Sequence, residues 1–160
     1  MKEAFKQNQL ESPLENAARL HGHLGPFLAI GVRMGIFAER LLKQGAKTSV
    51  KFQIALKIPL RIPFSCTIDG IQATTHCTIG NQRLTVMNSQ EKICACVKVD
   101  DPPRKLNITV NPEVIEEIKK KMAEGLTNER LAEQITSMSE QRLFTAEWRG
   151  LLKDAKAGRQ

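Results

Sequence analysis

The sequence predicts an α+β fold, a mainly antiparallel sheet packed against helices, with a helical carboxy-terminal extension. Three observations carry that prediction. Residues 49–60 alternate with a period of two, placing Phe52, Ile54, Leu56, Ile58 and Leu60 on one face and Lys51, Gln53 and Lys57 on the other, the pattern of a half-buried strand. Helix starts stand at Ser12-Pro13-Leu14-Glu15 and Asn111-Pro112-Glu113, each with a capping side chain followed by proline at the first helical position. The order of elements, helix, helix, strand, helix, strands, helices, sets helices over one sheet face.

The first helix is expected from Ser12, as cap, to about Leu20, followed by the turn His21-Gly22-His23-Leu24-Gly25. Pro26 then opens a second helix in which Phe27, Ile30, Met34, Phe37 and Leu41 recur at three- and four-residue spacing while Leu28, Val32 and Ile36 occupy its other side. A helix apolar on nearly every side is buried on several, and Gly31 and Gly35 on it would let another backbone approach closely. After the strand at 49–60, ended by Pro59 and Pro63, a short helix is expected over Asp69 to His76. Three short strands follow near Arg83–Met87, Ile93–Val99 and Lys105–Val110, with Asn88-Ser89-Gln90 as a hairpin turn and Asp101-Pro102-Pro103 as a loop. Beyond the helix at Asn111, Thr127 and Ser139 are expected to cap two more, with stripes Leu131, Ile135, Met138 and Leu143, Phe144, Trp148, Leu151. The chain divides into residues 1–110, an α+β domain, and residues 111–160, a helical extension packed on it or on a partner chain.

Composition narrows the function classes. With 160 residues, 41% hydrophobic and 26% charged, wholesale disorder and fibrous architectures are excluded. The longest mostly apolar stretch, Gly25 to Leu42, is interrupted by Arg33, Glu39 and Arg40, which is wrong for a bilayer-crossing helix. The amino terminus lacks the apolar core of a signal peptide, so a cytoplasmic protein without a membrane partner is expected. Residues 1–110 carry 15 basic against 8 acidic side chains, while residues 111–160 hold 9 of each. The formal charge of +7 therefore belongs to the first domain and suits an anionic ligand there. Nucleic acid is not expected, because aromatic residues that stack on bases make up only 4%.

The three histidines and two of the four cysteines fall in two short windows, His21-Gly22-His23 and Cys66 to Cys77, with His76 beside the second cysteine. In a cytosolic protein such gathering suits metal or thiol chemistry more than disulfides, and imidazole with thiolate is a common donor set for zinc and other borderline-soft ions. Spacing alone leaves two readings open, a metal site or buried thiols beside a hydrogen-bonded histidine turn. Asp69 and Gln72, three apart, can face one side of the short helix with Cys66 at its start and orient an imidazole; a helix cap is an equal reading for Asp69. Cys66 near a helix amino end is expected to have a lowered pKa. Cys94 and Cys96 share a strand face with Lys98 and read best as small half-buried residues.

His21-Gly22-His23-Leu24-Gly25-Pro26-Phe27-Leu28-Ala29-Ile30-Gly31-Val32-Arg33, then Cys66-Thr67-Ile68-Asp69-Gly70-Ile71-Gln72 and Cys77-Thr78-Ile79-Gly80, together resemble the FmdE family of formylmethanofuran dehydrogenase components. That family is marked by His-Gly-His-x-Cys-Pro-Gly before an Ala/Gly-rich helix, then Cys-x-x-Asp-Ala-Ile-Gln and a Gly-Cys-Thr-x-Gly turn. The resemblance covers about residues 12 to 85 and implies an α+β domain, usually homodimeric, with a divalent metal or reactive site near the histidine turn and the two motif cysteines. The chain departs from the pattern in four places. Gly25 stands where the family has cysteine, His76 stands where it has glycine, Gly80-Asn81-Gln82-Arg83-Leu84 stands in place of the family's Gly-Lys-Gly-Asn-Leu continuation, and no cysteine follows Cys96, so the carboxy-terminal four-cysteine zinc module of many relatives is not expected here.

The leading expectation is a metal-binding protein in which His21, His23, Cys66 and Cys77 hold a divalent ion, zinc foremost, with nickel or iron as alternatives. Asp69, Gln72, His76 and Thr78 would support the ion or a ligand, and the protein would be accessory to a molybdenum- or tungsten-dependent redox system or to one-carbon metabolism. A homodimer, a redox-enzyme partner and a small anionic ligand are the expected associations. Two alternatives compete: a thiol-dependent enzyme on a small anionic substrate, with Cys66 or Cys77 as catalytic nucleophile, and a non-catalytic interaction module.

Overall fold

The computed structural model describes residues 13–44, 51–100 and 102–149. The order is α1 (13–21), α2 (Pro26–Lys43), β1 (Phe52–Ile58), α3 (Cys66–Thr75), β2 (Leu84–Asn88), β3 (Cys94–Asp100), β4 (Pro103–Val110), α4 (Pro112–Ala123), α5 (Asn128–Ser137), α6 (Glu140–Leu143) and β5 (Phe144–Arg149). The class is α+β. The five strands form one sheet in the order β2-β1-β3-β4-β5, antiparallel except for the parallel pair β1 and β2.

The alternation read in β1 holds: Phe52, Ile54, Leu56 and Ile58 are buried beneath the helices with Ala95, Val97, Val99, Leu106, Ile108 and Val110. Leu60 does not continue it. Its strand has ended at Ile58, and it is 52% exposed. Nor is Asn88-Ser89-Gln90 a hairpin turn, because β2 and β3 pair with β1 from opposite sides. Helix α3 joins β1 to β2 as a crossover, which returns the chain parallel to β1. The segment after β2 then passes over the end of β1, where Ser89 N donates to Ile58 O at 3.0 Å.

The amino-terminal cap expected at Ser12 lies outside the described residues. Of the other caps, the Thr127 and Ser139 hydroxyls accept from Arg130 N and Arg142 N, as the sequence predicts. The helix expected after Ser139 lasts only one turn, however, and the chain becomes edge strand β5, pairing Phe144 with Val110 and Trp148 with Leu106. Phe144 and Trp148 are four apart, a spacing that fits the helical period and is also a multiple of two. The strand prevails because Phe144 stacks on Phe37 with ring centroids 5.5 Å apart. The Asn111 side chain, rather than capping α4, donates to Arg142 O at 2.6 Å and accepts from Thr145 Oγ1 at 2.6 Å. Leu151 of the expected stripe lies outside the described residues.

Helix α2 is buried over most of its surface and packs against α3 through glycine. A Cβ on Gly31 would stand 2.2 Å from Thr67 O, and one on Gly70 would stand 2.4 Å from Leu28 O, so the two backbones touch. One turn further on, Gly35 meets Thr74 and Thr75. The contacts advance together along both helices, so α2 and α3 point the same way. Helix α5 shares that direction: its first residue, Asn128, neighbours Gly25, and its last carbonyls accept from Arg33 Nη1, with Ile135 O at 2.8 Å and Met138 O at 2.5 Å. The amino ends of α2, α3 and α5 therefore gather on one side of the molecule.

Candidate metal centre

At that gathering point stands the turn between α1 and α2. Helix α1 ends at His21 because Gly22 adopts φ +96° while its N–H still donates to Ala18 O at 2.7 Å. This left-handed glycine reverses the chain and brings the His23 ring beside that of His21, with centroids 4.5 Å apart. Across the Gly31–Gly70 contact lies Cys66, the first residue of α3 and 7% exposed. The segment leading to it is fixed by Phe64, whose ring packs on Phe27 of α2 at 4.9 Å. Helix α3 starts three residues earlier than expected, which places Asp69 one turn inside it rather than at the cap.

Asp69 turns its carboxylate to the histidine turn: Oδ2 lies 2.7 Å from His21 Nδ1, and Oδ1 accepts from Gln72 Nε2 at 3.2 Å. Gln72 Oε1 in turn accepts from Ile79 N at 3.1 Å. A carboxylate beside Nδ1 places the imidazole proton there and leaves the Nε2 lone pair available. His21 Nε2 is buried and has no hydrogen-bond partner. The donor atoms of His21, His23 and Cys66 all lie within 4.8 Å of one another. A buried nitrogen with an unused lone pair, a thiol and a second imidazole match the donor chemistry of a borderline-soft divalent ion, and a bound ion would satisfy the orphaned nitrogen.

Burial pushes the Cys66 thiol above its ordinary range, and the Asp69 carboxylate adds to the rise, outweighing the opposing backbone hydrogen bond. This reverses the lowering expected from the helix amino end, since desolvation and a neighbouring negative charge both disfavour thiolate. Metal coordination removes that proton outright.

The remaining expected site residues lie elsewhere. Cys77 is fully buried at the far end of α3, where its Sγ donates to Phe52 O at 3.4 Å and its N–H donates to Thr75 Oγ1 at 3.1 Å. The 10 residues of α3 separate Cys66 from this end by about 15 Å. Burial raises the Cys77 thiol as well, partly offset by the Thr75 hydrogen bond and Arg83. His76 is exposed at the left-handed carboxyl cap of α3, with φ 57°, so it does not stand in for the position held by Gly25. Thr78 joins a turn in which its N–H and hydroxyl bond reciprocally with Asn81, both at 3.0 Å. Cys94 and Cys96 are half-buried on the sheet face that looks away from the helices, with Cys94 Sγ accepting from Thr109 Oγ1 at 3.3 Å.

Two residues near the site carried no functional signal in the sequence. Asn128 flanks Gly25, and a Cβ added to that glycine would lie 3.9 Å from Asn128 Cγ and from His23 Cδ2. Arg33 secures the helix that delivers Asn128. An asparagine just past a threonine cap and an arginine in an apolar helix look ordinary until α2 and α5 are seen side by side.

A family model described as FmdE, molybdenum formylmethanofuran dehydrogenase operon, matches residues 20–154. The chain belongs to the FmdE family. A relative of this FmdE chain, a probable S-adenosyl-L-methionine-binding protein of Archaeoglobus fulgidus, is 30% identical over 148 residues, which cover 91% of this chain and 39% of that protein. The FmdE chain thus spans about two fifths of that relative's length. The family match takes in the histidine turn, the Cys66 motif and the helices beyond residue 110. Among the described residues, no helix is long and apolar enough to cross a membrane.

Proposed function

We propose that this FmdE-family chain holds a divalent metal ion, zinc foremost, on His21 Nε2, His23 and the Cys66 thiolate, and serves as an accessory to a molybdenum- or tungsten-dependent redox or one-carbon system. The observation that carries the reading is His21: its Nδ1 faces Asp69 at 2.7 Å and its Nε2 is buried without a partner beside a second imidazole and a thiol. An unpaired buried polar atom costs about 1–3 kcal/mol, and a metal ion offsets that cost. The ion would supply a fixed positive charge and a Lewis-acid centre. The chain's own groups orient His21 through Asp69, hold Asp69 through Gln72, and shield Cys66 from water.

The competing reading, a thiol nucleophile, needs a ready thiolate. Burial raises both Cys66 and Cys77, which favours the metal reading, since coordination replaces the proton that burial retains. Metal analysis of gently purified protein tests the reading. About one equivalent per chain is expected, falling below about 0.2 in Cys66→Ser and His21→Ala and persisting in Cys77→Ser. Metal-free wild-type protein that takes up neither zinc, nickel nor iron would overturn it.

A further inference from the structure

We infer that the metal site keeps one coordination position for a small monodentate anion, entering beside His23 where residue 25 has no side chain. The inference rests on the metal reading above and goes beyond it by assigning a ligand class. The chain has three histidines and four cysteines. Among the described residues only His21, His23 and Cys66 converge; His76 and Cys77 sit at the opposite end of α3 and Cys94 and Cys96 on the outer face of the sheet. A divalent ion held by three protein donors has an open position, as catalytic zinc sites do, whereas structural sites close with four.

The opening has a definite place. Gly25 is extended, with φ −155° and ψ 171°, and a Cβ built on it meets nothing closer than 3.9 Å. The space next to His23 Cδ2 thus admits a Cβ-sized group, beside Asn128 and against the buried Gly25 backbone. His23 is exposed, which leaves a route from solvent. Two features favour an anion. The amino ends of α2, α3 and α5 meet here; Asp69 and Glu129 in the first turns of α3 and α5 offset two of them, so the free partial positive charge is that of α2. Helix α2 also has no acidic residue in its first turn and no side chain capping its free amides. The Asn128 side chain stands where it can orient the incoming ligand.

Cobalt-substituted protein tests this by absorption spectroscopy, with azide and thiocyanate as probes. The expected result is one Co(II) per chain and a saturable change in the visible bands of the wild type on anion addition. Gly25→Cys should bind the metal about tenfold more tightly, roughly double the thiolate-to-cobalt charge transfer, and lose the anion response, because the added thiolate fills the position. Asn128→Ala should keep the metal and weaken the anion several-fold. Co(II) that binds normally with no anion response overturns the inference and leaves the metal reading standing. So does a metal-dependent dimer, seen by sedimentation, that is insensitive to anions, because a second copy would then supply the fourth donor. Failure to bind Co(II) at all overturns both, and is told apart by the missing bands.

Discussion

The two ends of α3 look alike in the sequence and behave differently in the fold. Each has a buried cysteine, a histidine nearby and a contact with a glycine of α2. At the amino end, Cys66 faces two imidazoles, one of them with an unpartnered buried nitrogen. At the carboxyl end, Cys77 donates to Phe52 O, the Asn81 side chain donates to His76 O at 2.7 Å, and Thr78 and Asn81 satisfy each other. Both ends gather histidine and cysteine, two histidines with Cys66 and one with Cys77. The difference lies in whether backbone groups satisfy the donors, so that one end is poised for an outside partner and the other is closed on itself.

The sharpest way to break the contrast is through the glycines. In Gly70→Ala the new methyl would fall 2.4 Å from Leu28 O and 2.7 Å from Val32 N, backbone atoms that cannot step aside. We expect a loss of about 3 kcal/mol in denaturant unfolding, together with loss of metal, since Cys66 moves away from the histidines. Gly35→Ala, at the other end, meets the Thr74 side chain at 2.9 Å. That atom is Thr74 Cβ, which moves only with its helix, but it is a single carbon at 2.9 Å rather than polar backbone atoms at 2.4 and 2.7 Å, so a somewhat smaller loss is expected, with metal content unchanged. Equal losses would show that the amino-end contact is not special.

Asp69→Asn tests the orienting carboxylate. A fall of about 10–100-fold in metal affinity is expected with the fold retained, read by competition with a chromophoric chelator; unchanged affinity would remove Asp69 from the site. Gly22→Ala should cost about 1–2 kcal/mol, because φ +96° is left-handed and nothing lies within 4 Å to clash, and it should weaken metal binding by displacing His23. At the far end, Asn81→Ala should cost about 1 kcal/mol for its hydrogen bonds and leave the metal alone.

The smallest effect is on pH dependence. Both thiols are raised in the folded protein, so their contribution to stability is complete below the unfolded thiol pKa and is lost as pH rises through the folded values. Apo protein should therefore lose stability in mildly alkaline solution, and Cys66→Ala and Cys77→Ala should each reduce that loss. With metal bound the Cys66 share should disappear, because the thiolate is already the bound form, while acid should now release the ion. Alkaline melts of the apo and loaded proteins compare the two ends directly.

The class of fold was legible because period-two burial in β1 and proline-marked helix starts are local signals. Strand β5 was hidden because Phe144 and Trp148 satisfy both periods. The parallel pairing of β2 was hidden because a turn-like Asn-Ser-Gln does not say which strand its neighbours join. At the site, the histidine turn and Cys66 could be singled out by residue type and motif. Their meeting depends on Gly31 against Gly70 and on the 48-residue reach from His21 to Asp69. No spacing rule separated Cys77 from Cys66, since only the length of α3 puts them at opposite ends. The direction of the Cys66 shift went against the helix-dipole argument because burial and Asp69 together exceed a partial charge.

The shared direction of α2, α3 and α5 has an effect beyond the donors themselves. At the other pole, Arg33 answers the last carbonyls of α5, and Arg104 donates to Leu42 O at the end of α2. The negative ends of α2 and α5 are thus answered by arginine, while at the histidine turn Asp69 and Glu129 sit in the first turns of α3 and α5 and the amino end of α2 is left without a carboxylate or a capping side chain. The free amino end of α2 adds to the formal charge of +7 in favouring the inferred anion, an attraction that ions in solution screen over about 8 Å at physiological strength. Salt should accordingly slow the arrival of an anion at the site far more than it hastens its departure.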